Sequence, residues 1–398
     1  MRLGASCGMV DTERDQKGGE DERFKAGESR SRNDMERERE GLIIIAICIN
    51  AKEPELRLVN VVFRHGDRTP NKELYPNDPY KAYDFYPMGF GELTNNGKKR
   101  AYELGQFLRS RYKNFLSDIY TPELITTRTT DYSRTKMSLL LVLAGLFPPN
   151  NIQKWNNDLN WQPIPIKYDP WIKDNILLTT DCPLYIKEYQ RVLKTPEVIQ
   201  KMNEFSEMNS NLTKWSGKNI STPLDMYSLY NVLMAEWMMN LPLPEWTHSV
   251  FPDGQLKDGI IYSYEVSNSN AKLKRLFGGP LLKKMVEDML ASKDGKLIKR
   301  KMNLYSGHET NIGSMLNVLN VYKPHLPNFS SAVILELLQA NQTYYVKVVH
   351  YTGIPPKAVE LQIPNCQVLC PFDEFMEIIA SVLPSNEEII CDKTQTNM

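Results

Sequence analysis

Two arginines and a histidine lie close together in the segment Arg64-His65-Gly66-Asp67-Arg68. An imidazole can act as a nucleophile while it is neutral, and two neighbouring guanidinium groups lower its pKa and hold it neutral. The same cations suit a phosphate dianion, because each guanidinium can donate to two of its oxygens. Gly66 permits close approach of the backbone to a bound group. The segment is therefore a candidate phosphate site with a candidate nucleophile.

An alternative explanation needs no catalysis. The two arginines could pair with surface carboxylates such as Asp67, and His65 could be an ordinary loop histidine. The full pattern R-H-G-x-R-x-P at the end of a strand is much more specific than R-H-G alone. A second histidine, His308, is followed by Glu309 at the end of another predicted strand. These two observations together favour a functional site.

Short apolar runs predict the strands that position these residues. Residues 56–63 (LRLVNVVF) end directly before the R-H-G segment, residues 301–305 lead to His308, and residues 124–127 end at Arg128. A helical pattern of apolar side chains follows each run. Ligand sites of open α/β sheets lie where strands end and helices begin. The polar residues therefore occupy the positions where a ligand is expected.

The remaining segments predict an α/β fold with an insertion. Residues 332–339 and 344–351 form a predicted β-hairpin, and residues 372–383 form an amphipathic helix. Between residues 150 and 270 the chain is rich in Trp, Met and Pro and lacks a strand period, which predicts a mostly helical inserted domain. We divide the chain into a leader (1–51), an α/β core (52–149 and 271–398) and the insertion (150–270).

The leader has the composition of a signal peptide behind a polar extension. Residues 1–40 carry 9 basic and 11 acidic side chains, and an apolar run of 8 residues follows at 42–49. This run is shorter than the roughly 20 residues that span a bilayer, and it suits a signal-peptide core. A start at Met35 and cleavage after Ala51 would leave 39 basic against 37 acidic residues of the 48 and 48 in the chain. The alternative is a buried strand behind a disordered cytosolic tail.

Charge, cysteines and asparagines narrow the class of protein. A formal net charge of zero argues against nucleic acid as a partner. Four cysteines remain after the leader, an even number that suits an oxidising compartment, and a local Cys366–Cys370 disulfide is favoured over half a zinc site. The C-terminus has no hydrophobic tail, so the sequence predicts neither a membrane anchor nor a lipid anchor there. The four Asn-x-Ser/Thr sequons, which also favour export, are at Asn211, Asn219, Asn328 and Asn341.

Taken with its neighbouring motifs, the R-H-G-x-R-x-P segment resembles the histidine acid phosphatases, a branch of the histidine phosphatase superfamily. The resemblance covers about residues 56–391. It is strongest to the insect venom acid phosphatase group, through the tyrosine-rich stretch 80–86, Gly-Glu-Leu-Thr at 91–94, Asp-Leu-Asn-Trp-Gln-Pro at 158–163 and Ser-Gly-His-Glu at 306–309. It implies a phosphatase core with a sheet and a helical cap.

The resemblance also implies a role for each motif residue. His65 would attack phosphorus and become a phosphohistidine, and Glu309 would donate a proton to the leaving group. The family's usual acid at this position is aspartate, so Glu309 is a departure. The residues implied to bind the phosphate are Arg64, Arg68, Arg128 and His308.

Arg128 and Arg134 compete for the role of third phosphate-binding arginine. Arg128, in Thr-Thr-Arg-Thr-Thr-Asp, ends a predicted strand before a Ser/Thr-rich turn, which is where the family places that arginine. We therefore assign the role to Arg128. Arg134 is expected to support the loop through Asp131 instead.

Further expectations follow from the resemblance. Phosphate monoesters, small or on proteins, are the implied substrates, and the mechanism requires no metal ion or other cofactor. The implied disulfides are Cys182–Cys391 and Cys366–Cys370, while the family's third disulfide has no counterpart. Family members are often dimers, so a homodimer is an expectation. The implied destination is secretion, including into venom as an allergen, with the lysosome as the alternative.

Two alternative functions use the same fold. A phosphatase selective for inositol phosphates would need additional basic residues in the insertion, and Lys173, Lys187 and Arg191 are too scattered to indicate one. A non-catalytic secreted binding protein or venom antigen would not need the complete set of motif residues. We therefore predict a secreted acid phosphatase.

Overall fold

The computed structural model describes residues 53–396, which belong to one compact unit. The predicted leader and its cleavage site lie outside these residues. None of the helices in the described part is both long enough and apolar enough to span a bilayer.

A central mixed sheet of seven strands confirms the predicted α/β class. The strands are β1 (Glu55–Arg64), β2 (Ile125–Thr129), β3 (Met302–Gly307), β4 (Ala332–Ala340), β5 (Thr343–Tyr351), β6 (Ala358–Leu361) and β7 (Cys370–Pro371). Their order in the sheet is β2-β3-β1-β4-β5-β6, and β7 also pairs with β5. β1, β2 and β3 are parallel, whereas β4 runs antiparallel to β1. The predicted hairpin is formed by β4 and β5.

Side chains of β1 alternate between two apolar clusters, one on each face of the sheet. Leu58 and Val62 belong to the first, and Val59, Val61 and Phe63 belong to the second. All five are fully buried, and complete burial of such a side chain stabilises the fold by about 1.5–3 kcal/mol. The strand reads as a continuous apolar run because helices cover both faces.

Helices cover the sheet, and further helices between Pro183 and Phe277 form what we call the helical region. Those that pack on the sheet in the two clusters are α1 (Asn95–Arg111), α2 (Ser133–Leu146), α9 (Gly279–Lys293), α10 (Glu309–Val318) and α11 (Phe372–Ile379). The others are α3 (Pro183–Val192), α4 (Pro196–Glu204), α5 (Ser206–Ser216), α6 (Pro223–Met238), α7 (Gln255–Ser267), α8 (Ala271–Phe277) and α12 (Asn386–Ile389).

Within residues 150–270, the α-helices occupy only the later part. Residues 150–182 contain only short 3-10 turns, and helices begin at Pro183. Pro163, Pro165 and Pro170 interrupt this stretch and lack the amide hydrogen that a helix interior needs. The division of the chain into core and cap stays a prediction.

Two disulfides join the described cysteines. One links Cys182, directly before α3, to Cys391 near the C-terminus, and the other closes the short loop between Cys366 and Cys370. This is the pairing that the resemblance implies. The first bond ties the chain's end to the start of the helical region.

Asp78 and Glu236 are two carboxyl groups buried in contact with each other. They are 1% and 0% exposed, and the repulsion between two buried carboxylates favours a proton on one of them. The backbone N–H of Tyr80 donates to Asp78 Oδ1 at 2.7 Å, and Tyr75 and Lys81 complete the surroundings. Burial raises the pKa of Asp78, and burial together with the Asp78 charge raises the pKa of Glu236. The pair therefore favours folding at acid pH.

We expect Glu236→Gln to make the fold less sensitive to alkaline pH. Both folded-state pKa values lie above those of the unfolded chain, so the stabilisation is complete below about pH 4 and is lost as the pH rises through the folded-state pKa. Glutamine keeps a donor for Asp78 without a charge. At pH 8 the variant should melt at least about 2 °C above the unmodified protein, with little gain at pH 4. Melting curves followed by circular dichroism at both pH values check this. The exposed Glu245→Gln is the control, and an equal change at both pH values would contradict the assignment.

Candidate active site

The carboxyl ends of three parallel strands bring the candidate residues together. β1 ends at Arg64 and β3 ends at Gly307, and these residues are register partners. The amide of His65 donates to the carbonyl oxygen of Gly307 at 3.0 Å, and the amide of Thr130 donates to that of Ser306 at 3.2 Å. The predicted strand ends therefore meet at one edge of the sheet.

His65 is held in one tautomer by its own loop. Its Nδ1 lies 2.8 Å from the carbonyl oxygen of Gly66, which can only accept, so Nδ1 carries the hydrogen and Nε2 keeps its lone pair. Nε2 accepts from Arg134 Nε at 3.3 Å. Burial, and then the charges of Arg134 and Arg64, lower the pKa of His65 well below its usual range. The ring is therefore a neutral imidazole whose unprotonated nitrogen, the candidate nucleophile, is Nε2.

Gly66 is needed because α1 approaches the loop closely. A Cβ atom at Gly66 would lie 2.2 Å from the carbonyl oxygen of Gly97, in the first turn of α1. The amide of Gly66 donates to Ser138 Oγ on α2 at 3.0 Å. Thr94 caps α1 by accepting from the Gly97 amide. Two helices thus fix the loop that carries His65.

Arg64 is oriented by contacts on several sides. Its Nη1 donates to the carbonyl oxygen of Pro327 at 2.7 Å, and its guanidinium lies 3.8 Å from the ring centre of Phe329. Its Nε lies 3.1 Å from Glu309 Oε2.

Arg68 is buried, and its Nη1 donates to the carbonyl oxygen of Thr69 at 2.9 Å. Burial and the nearby Arg134 lower the pKa of Arg68 to about 10, which leaves it a cation. Asp67, the suggested partner of the arginines in a non-catalytic loop, instead pairs with Arg100 of α1 at 2.8 Å. The guanidiniums of Arg64 and Arg68 are thus not neutralised by this carboxylate.

Arg134 contacts His65, whereas Arg128, the arginine predicted to bind phosphate, does not. Arg128 forms ion pairs with Asp169 and, at 3.0 Å, with the fully buried Asp174, and no contact joins it to His65. Arg134 is the residue whose guanidinium reaches His65 Nε2.

The reason for the difference is the alternation of side chains along β2. Arg128 points to the opposite face from Thr127 and Thr129, the two threonines whose side chains are buried beside it. Arg134 lies on the first turn of α2, which begins at Ser133 beside the site. The suggested partner of Arg134, Asp131, pairs with Lys136 instead.

His308 lies at the start of α10, opposite His65. The two ring centres are 5.6 Å apart, and His308 Nε2 is hydrogen-bonded to Thr130 Oγ1 at 3.0 Å. Burial and Arg134 lower the pKa of His308 to about 3, so it is neutral at ordinary pH. Its amide donates to Asn311 Oδ1 at 2.8 Å. His308 is thus placed as a neutral polar group of the site.

Glu309 is buried and its two oxygens have different partners. Oε2 faces Arg64, and Oε1 accepts a short hydrogen bond from the hydroxyl of Tyr227. Burial by itself would raise the pKa of Glu309, but the charge of Arg64 and the hydrogen bond from Tyr227 outweigh it and lower the pKa to about 2. Glu309 is therefore a carboxylate in the free protein.

Tyr227 is a residue of the site that the sequence does not indicate. This residue lies on α6, 82 positions before Glu309, and nothing in the local sequence marks it as different from the other tyrosines of the helical region. Only the packing of α6 over the strand ends reveals its contact with the carboxylate.

Together the residues form a compact anion site with one acidic group. Arg64, Arg68 and Arg134 surround the neutral His65. Among the contacts described above, Glu309 is the one acidic side chain that faces these arginines, through Arg64. Across residues 53–396, no three His, Cys, Asp or Glu side chains are grouped to hold a metal ion. The arrangement can bind a tetrahedral dianion beside a nucleophilic nitrogen.

Comparison with known proteins gives matches along most of the chain. Residues 55–351 match the family described as the histidine phosphatase superfamily (branch 2). Venom acid phosphatase Acph-1 of Apis mellifera is 50% identical over 355 residues, 88% of this chain and 92% of that protein. Human prostatic acid phosphatase is 31% identical over 348 residues, 86% and 89% of the two chains. The structure of a phytase from Citrobacter braakii superimposes with a TM-score of 0.63 at 15% identity, covering 84% of this chain and 99% of that one, which shows the fold alone.

Proposed function

Because the chain belongs to branch 2 of the histidine phosphatase superfamily and is an acid phosphatase, we propose that it hydrolyses phosphate monoesters through a phosphohistidine on His65. The observation that carries this proposal is the geometry of His65. Its Nδ1–H is held by the Gly66 carbonyl, so the lone pair of Nε2 points to the space beside Arg134. A neutral nitrogen among cations is the nucleophile that a phosphate dianion requires.

The first step forms a phosphorus–nitrogen bond. His65 Nε2 attacks phosphorus opposite the ester oxygen, the phosphorus–oxygen bond breaks, and the leaving oxygen takes a proton from Glu309. The non-bridging oxygens are bound by Arg64, Arg68, Arg134 and His308. The ring gains positive charge, which the Gly66 carbonyl stabilises through Nδ1–H. In the second step water attacks phosphorus, Glu309 takes its proton, and the nitrogen–phosphorus bond breaks to release phosphate.

The substrate can supply the proton that Glu309 needs. Glu309 is ionised in the free protein, because its pKa is about 2. A phosphate monoester has its second pKa near 6, so below about pH 6 it arrives as a monoanion with one proton. Transfer of this proton to Glu309 leaves a dianion on the arginines. The dianion then competes for Arg64 and raises the pKa of Glu309. Activity should therefore fall as the pH rises above about 6.

We expect Glu309→Gln to slow alkyl phosphates far more than p-nitrophenyl phosphate. Proton donation contributes about 10²- to 10⁴-fold, and it matters most when the leaving group is a strongly basic alkoxide. Loss of kcat/KM should be at least about 100-fold for an alkyl phosphate and under about tenfold for p-nitrophenyl phosphate. Glu309→Asp, which restores the family's usual acid, should keep much of the activity. Equal losses for both substrates in Glu309→Gln would mean that the proton comes from another group.

We also propose that the protein enters the secretory pathway and is glycosylated. Its destination is the cell exterior or the lysosome. A venom phosphatase and lysosomal phosphatases are among its relatives. The sequon residues Asn211, Asn219 and Asn341 are exposed. Asn328 differs, because its Nδ2 donates to the carbonyl oxygen of Ile354 at 2.8 Å and to that of Thr352 at 3.4 Å. A glycan on this nitrogen would remove one of these donors.

We therefore expect glycans on the three exposed asparagines and none on Asn328. Peptide mapping of protein secreted from insect cells would locate the glycans, the disulfides and the mature N-terminus, which should lie near Lys52. Sedimentation of the same material tests the homodimer that the family implies. Occupied Asn328 in folded, active protein would contradict the glycan assignment, and peptides from residues 11–40 would contradict the leader.

One of the basic residues considered for a site that binds several phosphates is already paired with a carboxylate. Arg191 of α3, one of the basic residues considered for inositol phosphates, forms an ion pair with Glu188 at 2.6 Å. The phytase likeness shows a shared fold and carries no substrate. The proposed substrates are therefore phosphate monoesters, without a preference for inositol phosphates.

A further inference from the structure

We infer that Tyr227 is a positioning residue for proton donation: its hydroxyl holds Glu309 Oε1 and leaves Oε2 as the oxygen that delivers the proton. This inference rests on the proposed function and assigns a task in it to the helical region. Tyr227 reaches Glu309 from α6, whereas Glu309 itself begins α10 at the edge of the sheet.

The two partners of Glu309 differ in what a bound phosphate does to them. Arg64 lies next to His65 and carries a charge that a phosphate oxygen can share, so its contact with Oε2 is exchangeable. The phenol of Tyr227 is neutral and has no such attraction to the substrate. When phosphate engages Arg64, Oε2 becomes available for a proton while Oε1 stays bound to Tyr227.

Tyr227 can only donate at the pH at which the protein works. Burial, and then the charge of Glu309, raise the pKa of Tyr227 well above its usual value, so the phenol keeps its hydrogen. A hydrogen already directed at Oε1 disfavours a second hydrogen there. The proton that Glu309 receives must therefore occupy Oε2, the oxygen on the side of Arg64 and His65. The tyrosine in this way selects the oxygen and its orientation.

The fold holds Tyr227 in place independently of substrate. α6 begins with a capping box, in which Thr222 accepts from the amide of Asp225 and Asp225 accepts from that of Thr222. The Tyr227 ring contacts the ring of Tyr264 on α7 edge to face, with 6.2 Å between centres. The next turn of α6 carries Tyr230, a buried tyrosine whose hydroxyl donates to the carbonyl oxygen of Pro252 at 3.3 Å. Tyr230 is therefore a matched control on the same helix.

Tyr227→Phe and Tyr230→Phe should be compared on a series of aryl phosphates and one alkyl phosphate from pH 2 to 8. For Tyr227→Phe we expect about a tenfold loss of kcat for the alkyl phosphate and less than about threefold for p-nitrophenyl phosphate. The fall of kcat/KM at low pH should begin at a higher pH, because loss of the hydrogen bond from Tyr227 raises the pKa of Glu309. Tyr230→Phe should leave both the ratio of substrates and the pH profile unchanged.

A double variant separates this inference from the proposed function. If Tyr227 acts through Glu309, Tyr227→Phe should have little further effect in Glu309→Gln. Equal losses for all substrates with an unchanged pH profile would overturn the positioning role and leave a structural one. If Glu309→Gln itself shows no dependence on the leaving group, the proposed acid is wrong. If it does and Tyr227→Phe does not, the inference alone fails. Melting curves confirm that each variant is folded.

Discussion

Replacement of His65 by alanine is expected to abolish turnover, with a loss of kcat of at least about 10⁴-fold, as is usual for removal of a nucleophile. The surrounding contacts explain why no other group can take over. Nε2 is the unprotonated nitrogen that the site places against Arg134, and His308, the other histidine of the site, is hydrogen-bonded to Thr130. The fold should persist, because the amide of residue 65 keeps its hydrogen bond to Gly307.

Rapid quenching with a radiolabelled substrate gives a direct measurement of the intermediate. The unmodified protein should retain phosphate in an acid-labile, base-stable form on His65, and the alanine variant should retain none. His248→Ala, a change of an exposed histidine in the helical region, is the control and should keep full activity. The unmodified protein could instead turn over substrate with no label on His65, at quench times shorter than one turnover. That result would contradict the phosphohistidine and indicate direct attack by water.

The second large effect is expected at Arg134 rather than at Arg128. Arg134→Ala removes a cation next to the attacking nitrogen and should lower kcat/KM by about 10²- to 10³-fold, the range for loss of one donor to a transition state. Inhibition by vanadate should weaken in parallel, because vanadate imitates the geometry of the transferred group. Lysine should restore only part of the activity, since it lacks the forked guanidinium.

Arg128→Ala is the matched comparison, and its effect should be on stability. Arg128 pairs with Asp174, a fully buried carboxylate whose Oδ1 also accepts from the amides of Ile176 and Leu177. Loss of the cation leaves that charge less compensated and should lower the melting temperature. Activity measured well below the melting temperature should stay within about threefold of the unmodified protein. The opposite pattern, with Arg128→Ala inactive and Arg134→Ala active, would restore the assignment made from the sequence.

The sequence alone determined those features that depend on neighbouring residues. The apolar run before Arg64 predicted β1, because a strand covered on both faces is apolar on both faces. The R-H-G-x-R-x-P segment and the His308-Glu309 pair marked strand ends that do meet at one edge of the sheet. Local patterns of the same kind predicted the hairpin of β4 and β5.

Tertiary structure decided which side chains reach the site. Arg128 and Arg134 are six positions apart, and the direction of β2's side chains and the start of α2 decide between them. Tyr227 and Glu309 are 82 positions apart in the sequence, and Asp67 and its partner Arg100 are 33 positions apart. Such contacts follow from how helices pack over the strand ends, which hydrophobic spacing within one segment does not encode. The motifs therefore indicated which residues lie at the strand ends, while the contacts of Arg134 with His65 and of Tyr227 with Glu309 required the fold.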